Sequence, residues 1–391
     1  MCGHIEIGSN IMRDKLIFIN STLDGSVHEI VDASMIEVFS GIYDTVIVHF
    51  LQKRSSIIES LSNYSNNVYF LPSKNIKKTG ALKDLIASVL DAIYLIRADN
   101  NTTIYYSSVN MFSVHLINFI LKFLNRKVII CCHSELEIVK KQSYKKTDYW
   151  SFLIKRMFCR TKINKNLRFM VLGSFILENL KKYICEQRLI YFFSFEHPYF
   201  NVRNNLNHIV NFSSKIQIGI IGNISPNPSR GVNNIKNFAN QIKGYDFIEL
   251  SILGKIDANS GVKLPNNIIY KNESNSFIPR DQYVSMIEDL DYIFIPYPED
   301  SFSLSVSGVV LEAISEHKPV LMYRTDYFMY LIDKYGQFGL FIEDYSISDL
   351  VIALQDQEQY YKFVNTEKII SKNIMPNNLQ KTYLDVSPYK I

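Results

Sequence analysis

The sequence predicts an α/β protein of two Rossmann-like domains facing a cleft. Short, wholly apolar runs alternate with helical patterns along nearly the whole chain. That is the pattern of parallel strands covered by helices on both faces. At 391 residues the chain is too long for one ordinary core and suits two domains of about 150–200 residues each. A polar, Asn-rich segment, 201–214, interrupts the alternation just before it restarts, as an interdomain linker does. The expected boundaries are 1–200, 201–372 and a tail, 373–391, returning to the first domain.

In the first half, residues 15–19 (KLIFI), 45–50 (TVIVHF), 68–71 (VYFL), 103–106 (TIYY), 127–132 (KVIICC) and 168–172 (RFMVL) read as strands. Helical patterns over 27–39, the stretch up to 64, 80–98, 109–124 and 174–182 separate or follow them. In the second half, 215–221 (KIQIGII), 247–253 (FIELSIL), 267–270 (NIIY), 292–296 (YIFIP) and 319–323 (PVLMY) read as strands, with helices over 231–242, 280–289 and 307–316. From about residue 371 the periodicity weakens and Pro376 and Pro388 intervene.

Composition bounds the function. Hydrophobic residues make up 47% and charged residues 20%, and the formal net charge is +4. The chain has globular composition and lacks the overall charge of a nucleic-acid binder. The five cysteines are odd in number and form no C-x-x-C, which argues against a disulfide framework or zinc site and for a reducing compartment. Met1–Asp14 lacks the layout of a signal peptide. The longest apolar stretch, 111–132, carries Lys122, Arg126 and Lys127, too much charge for a bilayer centre. A cytoplasmic location is expected.

Two loops carry chemistry. Gly222-Asn223-Ile224-Ser225-Pro226-Asn227-Pro228-Ser229-Arg230-Gly231 lies between a strand and a helix. Small residues let the backbone approach a ligand, the helix N-terminus suits a phosphate, and Arg230 adds a bidentate donor. An ordinary turn with a surface arginine is the other reading of these residues. The second loop runs from Pro296 through Ser301, Ser303, Ser305 and Ser307 to Gly308, where a helix starts with no acid in its first turn. Its hydroxyls and N–H groups are expected to serve an anion. Glu312 stands inside that apolar helix, where an acid is paired or working. As a carboxylate it could accept two vicinal hydroxyls, though it also fits an exposed polar face.

Here the sequence resembles the GT-B glycosyltransferases of group 1, also called family 4. Gly222 and Arg230-Gly231 match their G-R-x-x-x-x-K-G-like loop, and Gly254 matches a strand-end glycine. Glu312-Ala313 through Lys318-Pro319-Val320 matches the E-A-x-x-x-G-x-P-V end of their second signature. The resemblance covers about residues 215–325 and, in outline only, the N-terminal half. It implies a GT-B fold, with an acceptor-side domain over 1–200 and a nucleotide-sugar domain over 201–372. The diphosphate would lie at Gly222, Arg230, Ser307 and Gly308, and the ribose at Glu312. It further implies retaining transfer from a nucleoside diphosphate sugar without a required metal. The branch resembled is that of bacterial surface polysaccharides such as O-antigen or capsule, so the expected acceptor is a glycan or polyprenyl-linked glycan. The chain departs from the family at Leu304, where the first glutamate of E-x7-E would fall, with Ser305 or Ser307 as substitutes. It departs also at Asn223, where a basic residue is usual, and at His317, where glycine is. A nucleotide-sugar epimerase of the same fold and an inactive nucleotide-sugar-binding protein are the alternatives.

In the N-terminal half, Gly25, Ser26 and His28 follow the first strand, and His133 and Glu135 follow the strand 127–132. Both lie at carboxyl ends, where doubly wound sheets bind ligands. A histidine of near-neutral pKa at 133 would orient the acceptor or donor sugar; a loop or capping histidine is the other reading. Glu196-His197-Pro198-Tyr199 reads first as hinge and second as cleft lining. Residues 140–168 hold ten cations, among them Lys140, Lys141, Lys145 and Lys146, against one acid, Asp148, with aromatic residues interleaved. Trp150 is the only tryptophan. This mixture suits an anionic membrane surface on the inner face of the cytoplasmic membrane, or else is a solvated basic face.

Overall fold

A computed structural model describes residues 14–22, 28–51, 58, 66–72, 80–141, 149–200, 215–256, 261–272 and 278–389. The first domain holds strands β1 (Lys15–Asn20), β2 (Thr45–Phe50), β3 (Val68–Phe70), β4 (Thr102–Ser108), β5 (Lys127–Cys132), β6 (Leu167–Leu172) and β7 (Phe192–Phe195). They form one parallel sheet in the order β3-β2-β1-β4-β5-β6-β7. The second domain holds β8 (Ile216–Ile220), β9 (Ile248–Ile252), β10 (Ile268–Tyr270), β11 (Tyr292–Ile295), β12 (Val320–Met322) and β13 (Gly339–Phe341), parallel in the order β10-β9-β8-β11-β12-β13. In both sheets the chain starts near the middle, works to one edge, and returns to build the other. The carboxyl ends of the central strands therefore open a crevice at each reversal. The central strands are buried on both faces because they are β-branched and aromatic almost throughout, whereas the edge strands β3 and β10 are partly exposed.

Several elements escaped the sequence reading. Phe192–Phe195 is a strand although its FFSF pattern is short and hides behind a turn. Beyond residue 323 come the helices Asp326–Tyr335 and Ile347–Leu354, and between them β13. The weak periodicity near 371 conceals an 18-residue helix, Gln357–Ile374. Pro376 does not end structure but opens the helix Pro376–Val386 at its first turn, where its missing N–H costs nothing.

That last helix packs on Glu29–Ser40 of the first domain. Tyr383 meets Phe39 edge to face, and the Tyr389 hydroxyl donates to the Val128 carbonyl. Two chain crossings, 197–200 and 374–376, thus join the domains side by side, and the Tyr199 N–H donates to the Ile374 carbonyl. A hydrophobic cluster runs through both domains, with Phe175 stacked on Tyr327. Among the described residues no helix is long and apolar enough to cross a membrane.

Candidate functional site

The second domain's wall of the crevice is shaped by glycines. A Cβ on Gly254 would fall 1.5 Å from the Gly222 carbonyl, so the ends of β8 and β9 meet at a distance only glycine allows. Gly231 has φ 67°, and a Cβ there would fall 1.7 Å from the Pro296 carbonyl. Asn227 caps the turn Pro228–Arg230 by accepting from the Ser229 N–H. Arg230 is thereby held on the rim of a cleft of about 420 Å³ between the domains. Gly222, Asn223, Ser305, Ser307, Gly308 and Glu312 line the same cleft. A neighbouring chamber of about 330 Å³ is lined by Gly222, Asn223, Gly254, Lys255, Arg280 and Tyr283.

The helix Gly308–Ser315 points its N-terminus into the cleft. Ser307 makes no side-chain cap, no acid lies in the first turn, and a Cβ on Gly308 would meet nothing within 4 Å. Its first N–H groups and partial positive charge are open to an anion. The serine hydroxyls also serve the fold. Ser307 Oγ bonds the Tyr297 hydroxyl at 3.0 Å and Ser301 Oγ donates to the Ser229 carbonyl at 3.3 Å. Ser305 Oγ donates to Glu137 Oε1 at 2.9 Å, and Lys140 Nζ donates to Ser303 Oγ at 2.6 Å. The serines knit the loop together and tie it to the first domain, and Ser305 and Ser307 line the cleft as well. Leu304 is fully buried and its N–H donates to Glu137 Oε1 at 2.7 Å.

Glu312 is buried and already engaged. Arg280 meets it through both terminal nitrogens, NH1 at 2.8 Å to Oε2 and NH2 at 2.6 Å to Oε1, and the Tyr199 hydroxyl donates to Oε2. Arg280 stands at the junction of the cleft and the neighbouring chamber. Burial opposes its charge, but Glu312 outweighs burial and raises its pKa further. Glu312 is thus not a residue of an exposed polar face. A ligand hydroxyl approaching it meets a carboxylate whose partners must shift. Arg280 and Tyr283 are site residues that the sequence does not single out, and Tyr199 lines the cleft in keeping with the second reading of its segment. Tyr199 sits in a hinge motif, and nothing local to Arg280 pairs it with a residue 32 positions away.

The first domain's wall is a cluster of three histidines. His28, the residue before the helix Glu29–Ser40, adopts φ 61°, and its ring centroid lies 4.7 Å from that of His133. His133 follows β5; its Nε2 donates to the Ser107 carbonyl at 2.7 Å, and its N–H donates to Glu135 Oε1 at 3.0 Å. Burial opposes charge on His133, but Cys131, Glu135 and the Ser107 carbonyl outweigh burial and raise its pKa. The shift makes the ring more basic than a free histidine. His197 lines the cleft from the hinge and is lowered to about 4 by burial and by the charge of His133. Enclosure in the cleft and the same charge lower His28.

Of the other candidate residues, Glu135 braces the His133 backbone and does not line the cleft. Gly231 shapes the Arg230 turn from behind. Gly25, Ser26, Lys145 and Lys146 lie outside the described residues. Lys140, read from the sequence as membrane-facing, instead crosses to the second domain. It pairs with Glu137 at 2.7 Å and donates to the Asp300 carbonyl at 2.9 Å. Lys141 is exposed, and Trp150 packs edge-on against Phe112 with its other side open. Among the described residues no group of three or more His, Cys, Asp or Glu is placed to hold a metal ion.

No family model and no curated protein matches the chain. Solved structures match it along almost its whole length. A glycosyltransferase from Rickettsia africae shares 13% identity, with 96% of this chain and 97% of that one covered and a TM-score of 0.60. TarM of S. aureus, in complex with Fondaparinux, alpha-GlcNAc-glycerol and UDP, shares 11% over 95% of this chain and 99% of that one, with a TM-score of 0.60. Sucrose-phosphate synthase from Thermosynechococcus elongatus shares 10% over 95% and 98%, also with a TM-score of 0.60. With the two parallel sheets and the cleft between them, these likenesses establish a GT-B fold.

Proposed function

We propose that the protein is a glycosyltransferase. In this reading it moves a sugar, with retention, from a nucleoside diphosphate sugar to a glycan or polyprenyl-linked glycan, in the synthesis of a bacterial surface polysaccharide. The observation that carries the reading is the pairing across one cleft of Arg230 and the open N-terminus of Gly308–Ser315 with His133 on the opposite wall. The diphosphate lies against Arg230 and the helix N–H groups, and the base enters the chamber beside Gly254 and Tyr283. The ribose hydroxyls reach Glu312 by displacing the Tyr199 hydroxyl or one nitrogen of Arg280. As the bond to the sugar breaks, negative charge grows on the leaving diphosphate, and Arg230 and the helix terminus stabilise it. Fixed positive charge of this kind needs no metal. His133 orients the sugar from the acceptor side and, when protonated, adds to that stabilisation. The GT-B neighbours named glycosyltransferase, TarM and sucrose-phosphate synthase favour this chemistry over others on similar sheets.

One observation favours a second reading, binding of a nucleotide sugar without turnover: buried Leu304 leaves no acid at that point of the loop. Incubation with a panel of nucleotide sugars, with and without glycan acceptors, separates the readings. Release of nucleoside diphosphate coupled to acceptor is the expected result. Isomerisation of the donor alone, or calorimetric binding with no turnover of any donor, overturns it.

A further inference from the structure

The helix Gly80–Arg97 covers the sheet of the first domain, yet its outer face is apolar. Leu82, Leu85, Val89 and Ile96 are each at least half exposed and fall within about a quarter of the helix circumference. Packed along it is the helix Met111–Ile120, from which Phe119 and, one turn beyond the helix end, Phe123 also face out. Phe123 is 74% exposed, the largest value among the exposed large hydrophobic residues. The next helix in the row, Tyr149–Lys155, adds Tyr149 and Trp150, both in ring contact with Phe112. Three adjacent helices thus present one apolar and aromatic surface. Single exposed hydrophobic residues are ordinary, but a continuous face of them marks an interaction surface.

We infer that this three-helix face docks the protein on an anionic membrane surface, with the apolar side chains entering the interface. Its basic flank selects the partner. From Tyr149 to Arg168 there are six cations, Lys155, Arg156, Arg160, Lys162, Lys165 and Arg168, and no acid. Apolar residues beside a cationic, aromatic belt suit the headgroup region of an anionic bilayer. A two-fold contact with a second copy would bring the cationic flank toward its own image, which opposes dimerisation through this face. Lys140 belongs to the domain contact rather than this face, so docking rests on the helices and not on the loop before them. The inference stands independently of the catalytic reading.

The test uses the full chain and vesicles of phosphatidylcholine with or without about one-third phosphatidylglycerol. The wild type should sediment with the anionic vesicles in a salt-sensitive way, and the emission of Trp150, the only tryptophan, should shift to the blue. Leu85→Glu with Val89→Glu, and separately Phe119→Glu with Phe123→Glu, should each lower partitioning by about tenfold or more. Both pairs lie on the surface, so circular dichroism and nucleotide affinity should stay at wild-type values. If the wild type ignores anionic vesicles at low salt, or the glutamate variants bind as well as it does, the inference falls. It falls too if these substitutions abolish a concentration-dependent dimer and leave vesicle binding unchanged. Vesicle binding without glycosyl transfer would sink the catalytic reading and leave this one intact.

Discussion

The two walls of the cleft are made in different ways. The wall of the second domain is largely main chain: Gly222, Gly231 and Gly254 bring strand ends and a helix terminus together, and Arg230 is fixed by a capped turn. The wall of the first domain is side chains from distant segments, His28, His133 and His197, gathered by the fold. A wall of main chain is set by local sequence and suits a ligand with fixed charge, such as a diphosphate. A wall of clustered histidines is set by tertiary packing, and its charge depends on which members hold protons. The first should govern donor binding and the charge of the leaving diphosphate, and the second the placing of the sugar for transfer without a part in nucleoside diphosphate affinity.

The largest effect expected from breaking this division is at Glu312. Glu312→Ala leaves the half-buried Arg280 with only the longer ion pair to Glu316 at 3.9 Å in place of its two-point contact. Loss of one partner from such a pair costs about 3–5 kcal/mol, and chemical denaturation should show it. Glu312→Ala with Arg280→Met should regain much of that stability and still bind the donor poorly. If the double variant binds the donor as the wild type does, Glu312 has no part in the donor site.

Next is Arg230. As a donor aimed at charge that grows during reaction, its loss should lower turnover by about 10²–10³-fold while folding stability barely moves. Arg230→Lys keeps the charge and loses the fork, and should fall between. Initial rates equal to wild type in Arg230→Ala would remove it from the mechanism. A smaller effect is expected at His133: His133→Ala should cut transfer by about 10–100-fold and leave calorimetric affinity for the nucleoside diphosphate unchanged. A fall in that affinity instead would break the proposed division between the walls.

How much was legible follows from the same contrast. The strands 45–50 and 127–132 stand where the sequence placed them, because a β-branched apolar run has one use in a doubly wound sheet. The glycine turn and the helix start at 307–308 were visible because turn residues and capping act over a few positions. Arg280 with Glu312, and Tyr199 with Glu312, join residues 32 and 113 positions apart, a pairing no local pattern encodes. The second role of the serine loop was not legible because free hydroxyls and hydroxyls that bind their own fold look alike in sequence; Glu137 and Lys140 from the other domain, with Tyr297 and the Ser229 carbonyl from its own, reveal it.

The smallest expected effect tests the histidine wall itself. His197 is buried, which lowers its pKa to about 4, and an unfolded histidine titrates near 6.5. Between those values the unfolded chain binds a proton that the native protein refuses. The stability His197 contributes is therefore full above about pH 6.5 and is lost as pH falls toward 4. At pH 5 the loss is roughly 2 kcal/mol. Other groups act in the opposite sense over the same range. Asp32 and Asp91 are raised to about 6 and about 7 by burial, so the native protein gains protons there and is stabilised as pH falls. His133, raised, also favours the native state as pH drops toward 6.5. The overall slope of stability with pH is thus a sum of opposed terms, and the informative quantity is the difference between the wild type and His197→Gln. Denaturation midpoints at pH 7 and pH 5 should show the wild type losing more than the variant, by roughly that amount. NMR of the His197 ring gives the direct check: its Cε1–H shift should stay nearly flat from pH 7 to 5, because burial and the neighbouring His133 both resist protonation. A His197 titrating near 6.5 would mean that the cluster is solvated and His133 uncharged, and the wall would then be a set of ordinary loop histidines.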